Sequence, residues 1–256
     1  MKYQDRKRAE GFGKFAMQYD KTRPSYPKSL IKLLSENGAG NALDIGSGTG
    51  QVAILLKNSG WNVLAIEPDD RMAKIAHSKG IEVIVSTFEQ WVPASKSFDL
   101  ITSGTSWHWI NPDIGYDKAA SLLKSGGQLA IFRNFYNYEH EVSDIIKKTL
   151  KEYAPQLLNE CVPLGIGDYN RTDPIKKEFE TRSDLFSKIE IKIFKHKRTV
   201  SIDTWTEELT THSPIYQLDE KLSYKLLQAL KHNLSPLLGN MVSILHDTYC
   251  LLAKKH

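Results

Sequence analysis

Through the first half of the chain, short apolar runs alternate with longer stretches whose apolar residues recur at helical spacing. The short runs are Ala42–Ile45, Trp61–Ile66, Ile81–Val85, Phe98–Ser103 and Gln128–Arg133, which predict buried strands. Between and before them, Pro27–Ser35, Gln51–Asn58, Asp69–Ser78 and Pro112–Leu123 predict helices. Glycines stop each one, at Gly38, Gly60, Gly80 and Gly126–Gly127, and Ser25 stands where a cap would start the first. Strands alternating with helices imply an α/β protein, a doubly wound parallel sheet covered on both faces.

After Arg133 the rhythm changes. Glu141–Leu158 predicts a helix, 159–174 a loop bearing Gly and Pro, and Lys188–Val200 a long strand. Helices around Thr204–Thr211 and Asp219–Asn233 follow. Asn240–Lys254 reads as a closing strand because Val242, Ile244 and His246 alternate, although the run also suits a helix. There is no internal repeat.

At 256 residues the chain is long enough for one large domain or one domain with an insertion. With 41% hydrophobic and 25% charged residues, it has the balance of a globular protein with a core. No apolar run reaches the ~20 residues of a membrane span, and Met1–Glu10 is too charged for a signal peptide. Two cysteines, Cys161 and Cys250, make neither a disulfide framework nor a metal site, so no metal and a reducing cytoplasm are expected. In that setting the Asn170–Thr172 glycosylation pattern carries no meaning. A net charge of +4, with its densest run at Lys192–Arg198 interleaved by Ile191, Ile193 and Phe194, reads as one solvated strand face. No nucleic-acid module accompanies it.

The chemistry concentrates where the first strand ends, at Asp44-Ile-Gly-Ser-Gly-Thr-Gly50. A strand, a glycine turn and a helix form the entrance of a nucleotide-type site, at the carboxyl edge of the sheet. Gly46 and Gly48 permit positive φ and close approach of a ligand, and the next helix offers unpaired N–H groups. Phosphate-centred cofactors fit poorly. Gln51–Val52 stands where a P-loop has Lys-Ser/Thr, and Gly46, Gly48 and Gly50 are spaced more tightly than G-x-G-x-x-G. Glu67 ends the second strand, where an acid can accept from both hydroxyls of a ribose.

The glycine turn with Glu67 resembles the class I S-adenosylmethionine methyltransferases. Phe98-Asp-Leu-Ile-Thr-Ser-Gly-Thr-Ser-Trp-His-Trp109 and Leu122-Leu-Lys-Ser-Gly-Gly-Gln-Leu129 resemble the type 11 subgroup, with Ser125 in place of its usual proline. Tyr19-Asp-Lys-Thr-Arg-Pro-Ser-Tyr-Pro27 resembles the branch containing trans-aconitate methyltransferases. The likeness is specific over about residues 12 to 133. It implies a Rossmann-like, mostly parallel sheet with an antiparallel C-terminal strand and a helical cap. A single domain is expected, its cofactor core at about 37–134 and its cap at about 135–187 and 201–239. The implied cofactor is S-adenosylmethionine, with S-adenosylhomocysteine as product and a small-molecule methyl acceptor as partner.

On that resemblance, Asp44 faces the amino end of the cofactor's methionine part, and Gly46, Ser47 and Gly48 lie beneath it. Glu67, followed by Pro68, takes the ribose, and Met72 packs by the adenine. Thr87 and Phe88 follow the third strand, where the family often has an acid; Thr87 departs from that pattern. Ser103 and Gly104 line the methionine part, and Tyr19 and Arg23 fold over it, Arg23 pairing with its carboxylate. Tyr26 reads as packing beside Pro27. Trp107-His108-Trp109 face the transferring methyl, His108 as base or hydrogen-bond donor and the tryptophans as walls, with core packing as the rival for all three. His212, Ser213 and Tyr216 complete the pocket or else merely form a helix end. Acceptor identity and oligomeric state are not written in the sequence. A small-molecule enzyme with a carboxylate among its candidate acceptors, a silent cofactor-binding regulator and an RNA or protein methyltransferase all stay open.

Overall fold

The protein is described from a computed structural model covering residues 5, 10–93, 97–158, 162–165, 173–187 and 189–256. Its centre is a seven-stranded sheet. The strands are β1 (Asn41–Ile45), β2 (Asn62–Glu67), β3 (Glu82–Val85), β4 (Phe98–Gly104), β5 (Leu123–Asn137), β6 (Glu190–Ser201) and β7 (Met241–Lys254). They lie in the order β3-β2-β1-β4-β5-β7-β6. The pairs among β1 to β5 are parallel, and β7 runs antiparallel to both β5 and β6. The closing run is therefore a strand, and the alternation of Val242, Ile244 and His246 toward one buried side was the correct signal.

Strand order reverses beside β1, between its neighbours β2 and β4, and this opens a crevice at the carboxyl ends of the strands. Helices α2 (Lys28–Leu34) and α3 (Gln51–Asn58) cover one face. Their Leu30, Ile31, Leu34, Val52, Ala53 and Leu56 share a core with Ala42, Ala65 and Leu100. On the other face, α5 (Pro112–Leu122) brings Tyr116, Ala119 and Ala120 against Leu43, Ile101 and Leu129. Helix α4 (Asp70–Ser78) is started by Asp69, whose side chain accepts from Arg71 N, and α5 by Asn111 with Pro112 in its first turn.

The second half builds the roof. Helices α6 (His140–Tyr153), α8 (Ile202–Thr210), the single turn α9 (Ser213–Tyr216) and α10 (Glu220–Leu238) form a third core with the far ends of β5 and β7. Ile146 and Leu150 on α6 meet Leu226, Leu230 and Leu234 on α10, all at fourth-residue spacing. Each such side chain contributes about 1.5–3 kcal/mol when fully buried. Strands β5 and β7 outrun the parallel strands, pairing from Gln128 to Asn137, and so carry Tyr136, Val242 and Ile244 up beneath this roof.

Several expected boundaries move. The helix expected over Glu141–Leu158 ends at Tyr153, because Ala154 precedes Pro155 and leaves helical geometry at φ −152° and ψ 63°. The stretch 159–174 and the Asn170–Thr172 pattern lie mostly or wholly outside the described residues. Helix α7 (Asp173–Glu180), within the stretch expected to form cap, instead covers the sheet: Phe179 packs 4.8 Å from Tyr116 and 5.6 Å from Phe186. The segment before α2 is also helical, with a 3-10 stretch at Glu10–Phe15 running into α1 (Ala16–Thr22). Among the described residues, no helix is long and apolar enough to cross a membrane.

Candidate active site

The turn after β1 is held from behind. Gly46 N and Ser47 N both donate to Ile66 O of β2, at 2.8 and 3.1 Å. Gly46 and Gly48 take φ +64° and +57°, which an L side chain resists. A Cβ on Gly46 would lie 2.6 Å from Ser106 Cβ, so this position has neither the torsion nor the room for one. Glu67 locks the turn to the next helix: its Oε2 accepts from Gly48 N at 2.8 Å and its Oε1 from Asp69 N at 3.0 Å.

Above the turn lies a cleft of about 180 Å³. One end includes Gly46, Gly48, Gln51, Glu67, Pro68, Met72, Thr87 and Phe88. The other includes Thr105, His108, Trp109, Ile110, Arg133, Asn134, Tyr136, His212 and Ser213; Ser106 stands against Gly46, and Glu89 bonds Asn111 N. The N-terminal segment closes the top with Phe12, Tyr19, Arg23 and Tyr26. Phe12 sits edge-on to Trp109 at 6.1 Å, to Tyr19 at 6.3 Å and to Tyr216 at 5.6 Å. Gly13 passes so close to Asp69 that a Cβ would fall within 2.3 Å of its carboxylate, which seats the segment against the cap of α4.

Most expected cofactor residues converge on the cleft: Tyr19, Arg23, Gly46, Gly48, Glu67, Pro68, Met72, Thr87, Phe88 and Gly104 line it. Asp44, Ser47 and Ser103 do not. Asp44 is buried beneath the turn, where its Oδ1 accepts from Thr102 Oγ1 at 2.9 Å and its Oδ2 has no hydrogen-bond partner. Burial raises its carboxyl to about 7, against the opposing pull of Thr102 and the Ala53 backbone amide. Ser47 is buried, and Ser103 bonds Ser106 Oγ at 2.6 Å.

The Trp107-His108-Trp109 cluster divides. His108 and Trp109 line the cleft, their rings 4.8 Å apart. Trp107 points into the core and packs 5.0 Å from Tyr116, because successive residues of a 3-10 turn face different sides. It is a packing residue rather than a pocket wall. His212 and Ser213 reach the cleft, whereas Tyr216 stands behind Phe12 and stacks on Phe15 at 5.9 Å. Arg23 donates from Nε and Nη2 to Thr211 Oγ1 and O, both at 2.8 Å, with its guanidinium 4.6 Å over the Tyr19 ring.

Several wall residues emerge only in the structure. Tyr26 does more than pack by Pro27: its hydroxyl bonds Thr105 Oγ1 at 2.9 Å on the cleft wall. Thr105 itself holds φ +61°, a strained setting for a β-branched residue that costs about 1–3 kcal/mol. Arg133 and Asn134 follow the parallel part of β5. The rule that strand carboxyl ends line the crevice would have found them. Tyr136 carries no such local signal.

Charged residues of both signs line the cleft. Of the acids, Glu67 belongs to the glycine turn, and Glu89 stands by Ile110, its Oε1 accepting from Asn111 N at 2.9 Å. The basic residues on the lining are Arg23, on the N-terminal segment, and Arg133. His212 is held well below the usual imidazole range by burial, then by the Arg23 charge, so it stays neutral. Among the described residues, no three His, Cys, Asp or Glu are grouped to hold a metal.

A sheet reversing beside β1, a glycine turn and an acid ending β2 define a nucleotide-type, doubly wound α/β fold. The family described as "methyltransferase domain" matches residues 43–131. An uncharacterized methyltransferase of Staphylococcus carnosus is 30% identical over 152 residues, covering 54% of this chain and 73% of that protein. One of Mycobacterium tuberculosis is 30% identical over 125 residues, covering 48% of this chain and 51% of the other. The chain thus spans about half the length of several curated relatives it matches. A structure from Anaeromyxobacter dehalogenans, described as a type II methyltransferase, superposes with TM-score 0.67 at 17% identity over 90% of this chain and 97% of that one. The chain belongs to the class I S-adenosylmethionine-dependent methyltransferases.

Proposed function

We propose that the protein transfers a methyl group from S-adenosylmethionine to a small-molecule carboxylate. The observation that carries this reading is one cleft with the glycine turn and Glu67 toward one end and Arg133, His108 and aromatic walls toward the other. The first end fits the cofactor. Glu67 ends β2 on the cleft wall at the position of an acid that takes a ribose, Gly46 and Gly48 leave no side chain in the way, and Met72 and Phe88 offer apolar walls for an adenine. Arg23 offers a guanidinium for the methionine carboxylate.

When bound, S-adenosylmethionine supplies a methyl on a positively charged sulfur, already activated for displacement. The chain's own residues then have to orient the acceptor and exclude water. Phe12, Trp109 and Ile110 supply the dry walls. Arg133 presents the planar donor fork that fixes a carboxylate. A carboxylate acceptor has no proton to lose, so no strong base is required, which agrees with a neutral, weakly basic His212. His108 serves as hydrogen-bond donor to the acceptor. The resemblance of Tyr19–Pro27 to the trans-aconitate branch points to the same acceptor class. The open space beside His108 and the covered cleft favour a turning-over small-molecule enzyme over a silent binder or a macromolecular methyltransferase.

Calorimetric titration with S-adenosylmethionine tests the cofactor end. Binding is expected, and Glu67→Ala should weaken it by about 1–3 kcal/mol through lost charge-assisted hydrogen bonds. Unchanged affinity refutes the ribose role. A panel of small carboxylic acids, amines and phenols, read by formation of S-adenosylhomocysteine, tests the acceptor class. Turnover confined to amines or phenols would overturn the carboxylate assignment.

A further inference from the structure

The roof holds one carboxylate that touches neither end of the cleft. Glu208 on α8 is fully buried, and a charge removed from water there has to be answered by specific partners. Its Oε2 accepts from Arg198 Nη1 of β6 at 2.7 Å, and its Oε1 accepts from the Tyr136 hydroxyl of β5 at 2.8 Å. His212 Nε2 lies 3.6 Å from the same Oε1. Tyr136 and His212 are both walls of the cleft.

Arg198 also reaches the other way. Its Nη2 donates to Thr22 O, the last carbonyl of α1, at 2.6 Å. The next residue, Arg23, donates to Thr211 Oγ1 and O at 2.8 Å, and Thr211 Oγ1 donates to Glu208 O at 2.6 Å. The segment that carries Tyr19 and Arg23 over the cleft is thus tied to the roof at Thr22 and Arg23. The Thr22 tie runs through Arg198 to the Glu208 carboxylate, and the Arg23 tie runs through Thr211 to the backbone carbonyl of Glu208 in the turn that ends α8. A fixed ion pair here can hold the lid and the walls in one register.

We propose that the Glu208–Arg198 pair is the positioning centre of this site, holding the segment Ala16–Arg23 closed over the cleft and fixing Tyr136 and His212 as its walls. The proposal rests on the methyltransferase reading for what the cleft binds, but the closure of the segment can be read without any ligand. Neither residue touches the reacting atoms, so both act through Arg23, Tyr136 and His212.

The test uses the full chain and three variants: Glu208→Gln, which keeps shape but removes the charge; Glu208→Asp, which keeps the charge; and Arg198→Lys, which cannot bridge Glu208 and Thr22 together. Amide exchange over residues 16–23 is measured without ligand. Titrations use adenosine, which spans only the Glu67 end, and S-adenosylhomocysteine, whose methionine part extends toward Arg23. In Glu208→Gln, exchange over 16–23 should rise at least about tenfold, S-adenosylhomocysteine affinity should fall by about tenfold, and adenosine affinity should hold. Glu208→Asp should recover part of both effects. A general loss of structure would weaken both ligands together, so equal losses would overturn the proposal, as would wild-type exchange with wild-type S-adenosylhomocysteine affinity. If Glu208→Gln fails to fold, Arg198→Lys gives the same readouts under the same criteria. Failure of wild-type protein to bind either ligand would sink the methyltransferase reading instead, while faster exchange in the variants would still uphold the lid role.

Discussion

Asp44→Asn offers a quantitative check on how the glycine turn is built. The native carboxyl is buried under the turn and raised from 3.8 to about 7, chiefly by loss of hydration. Folding therefore increases its affinity for a proton by about three decades, worth about 4 kcal/mol. The sign follows from linkage: a folded-state value above the unfolded one makes the native state bind more protons. Its stability contribution is intact below pH 3.8 and is lost progressively as pH rises toward 7. Between pH 5 and pH 8 the wild-type protein should lose about 2.5 kcal/mol from this group alone. Asparagine does not titrate and keeps an acceptor for Thr102 Oγ1. Urea unfolding of both ligand-free proteins at pH 5, 6, 7 and 8 gives the difference directly, because every other titrating group cancels. The stability gap should move in favour of the variant by about 2.5 kcal/mol across that range. A gap flat to within about 0.5 kcal/mol would refute the buried, desolvated carboxyl.

Two further substitutions probe the turn and the acceptor end. Gly46→Ala meets both a positive φ and a Cβ contact at 2.6 Å, whereas Gly126→Ala meets φ +74° with open space around it. The first should cost at least about 2 kcal/mol and the second about 1 kcal/mol, and equal losses in melting experiments would deny the packing of the turn on Ser106. His108→Ala should lower kcat by about ten- to a hundredfold, through one lost hydrogen bond to the acceptor, while S-adenosylmethionine affinity stays at the wild-type value. Unchanged turnover would leave His108 a packing residue.

The strand-and-helix alternation was legible because each element has its own period and its own stop: Gly60 and Gly80 follow the expected helices within two residues. The glycine turn and Glu67 were legible for the same reason, since local chain geometry demands glycine and a strand end fixes where an acid points. Trp107 and His108 show the limit. They are adjacent and equally suggestive in the sequence, yet one is core and the other is cleft, because the direction of a 3-10 turn depends on what packs under it.

By itself, then, the sequence determined the parallel sheet, the turn at Gly46–Gly50 and the acid at Glu67, all set by contacts near in the chain or by periodic burial. Only the tertiary structure decided that Asp44 lies under the turn rather than in the cleft, and that α7 covers the sheet rather than the site. It alone joined Thr22, Tyr136, Arg198 and Glu208, whose pairings span up to 176 positions. A buried charge is satisfied by whatever the fold brings within about 3 Å, and no local pattern of residues records that distance.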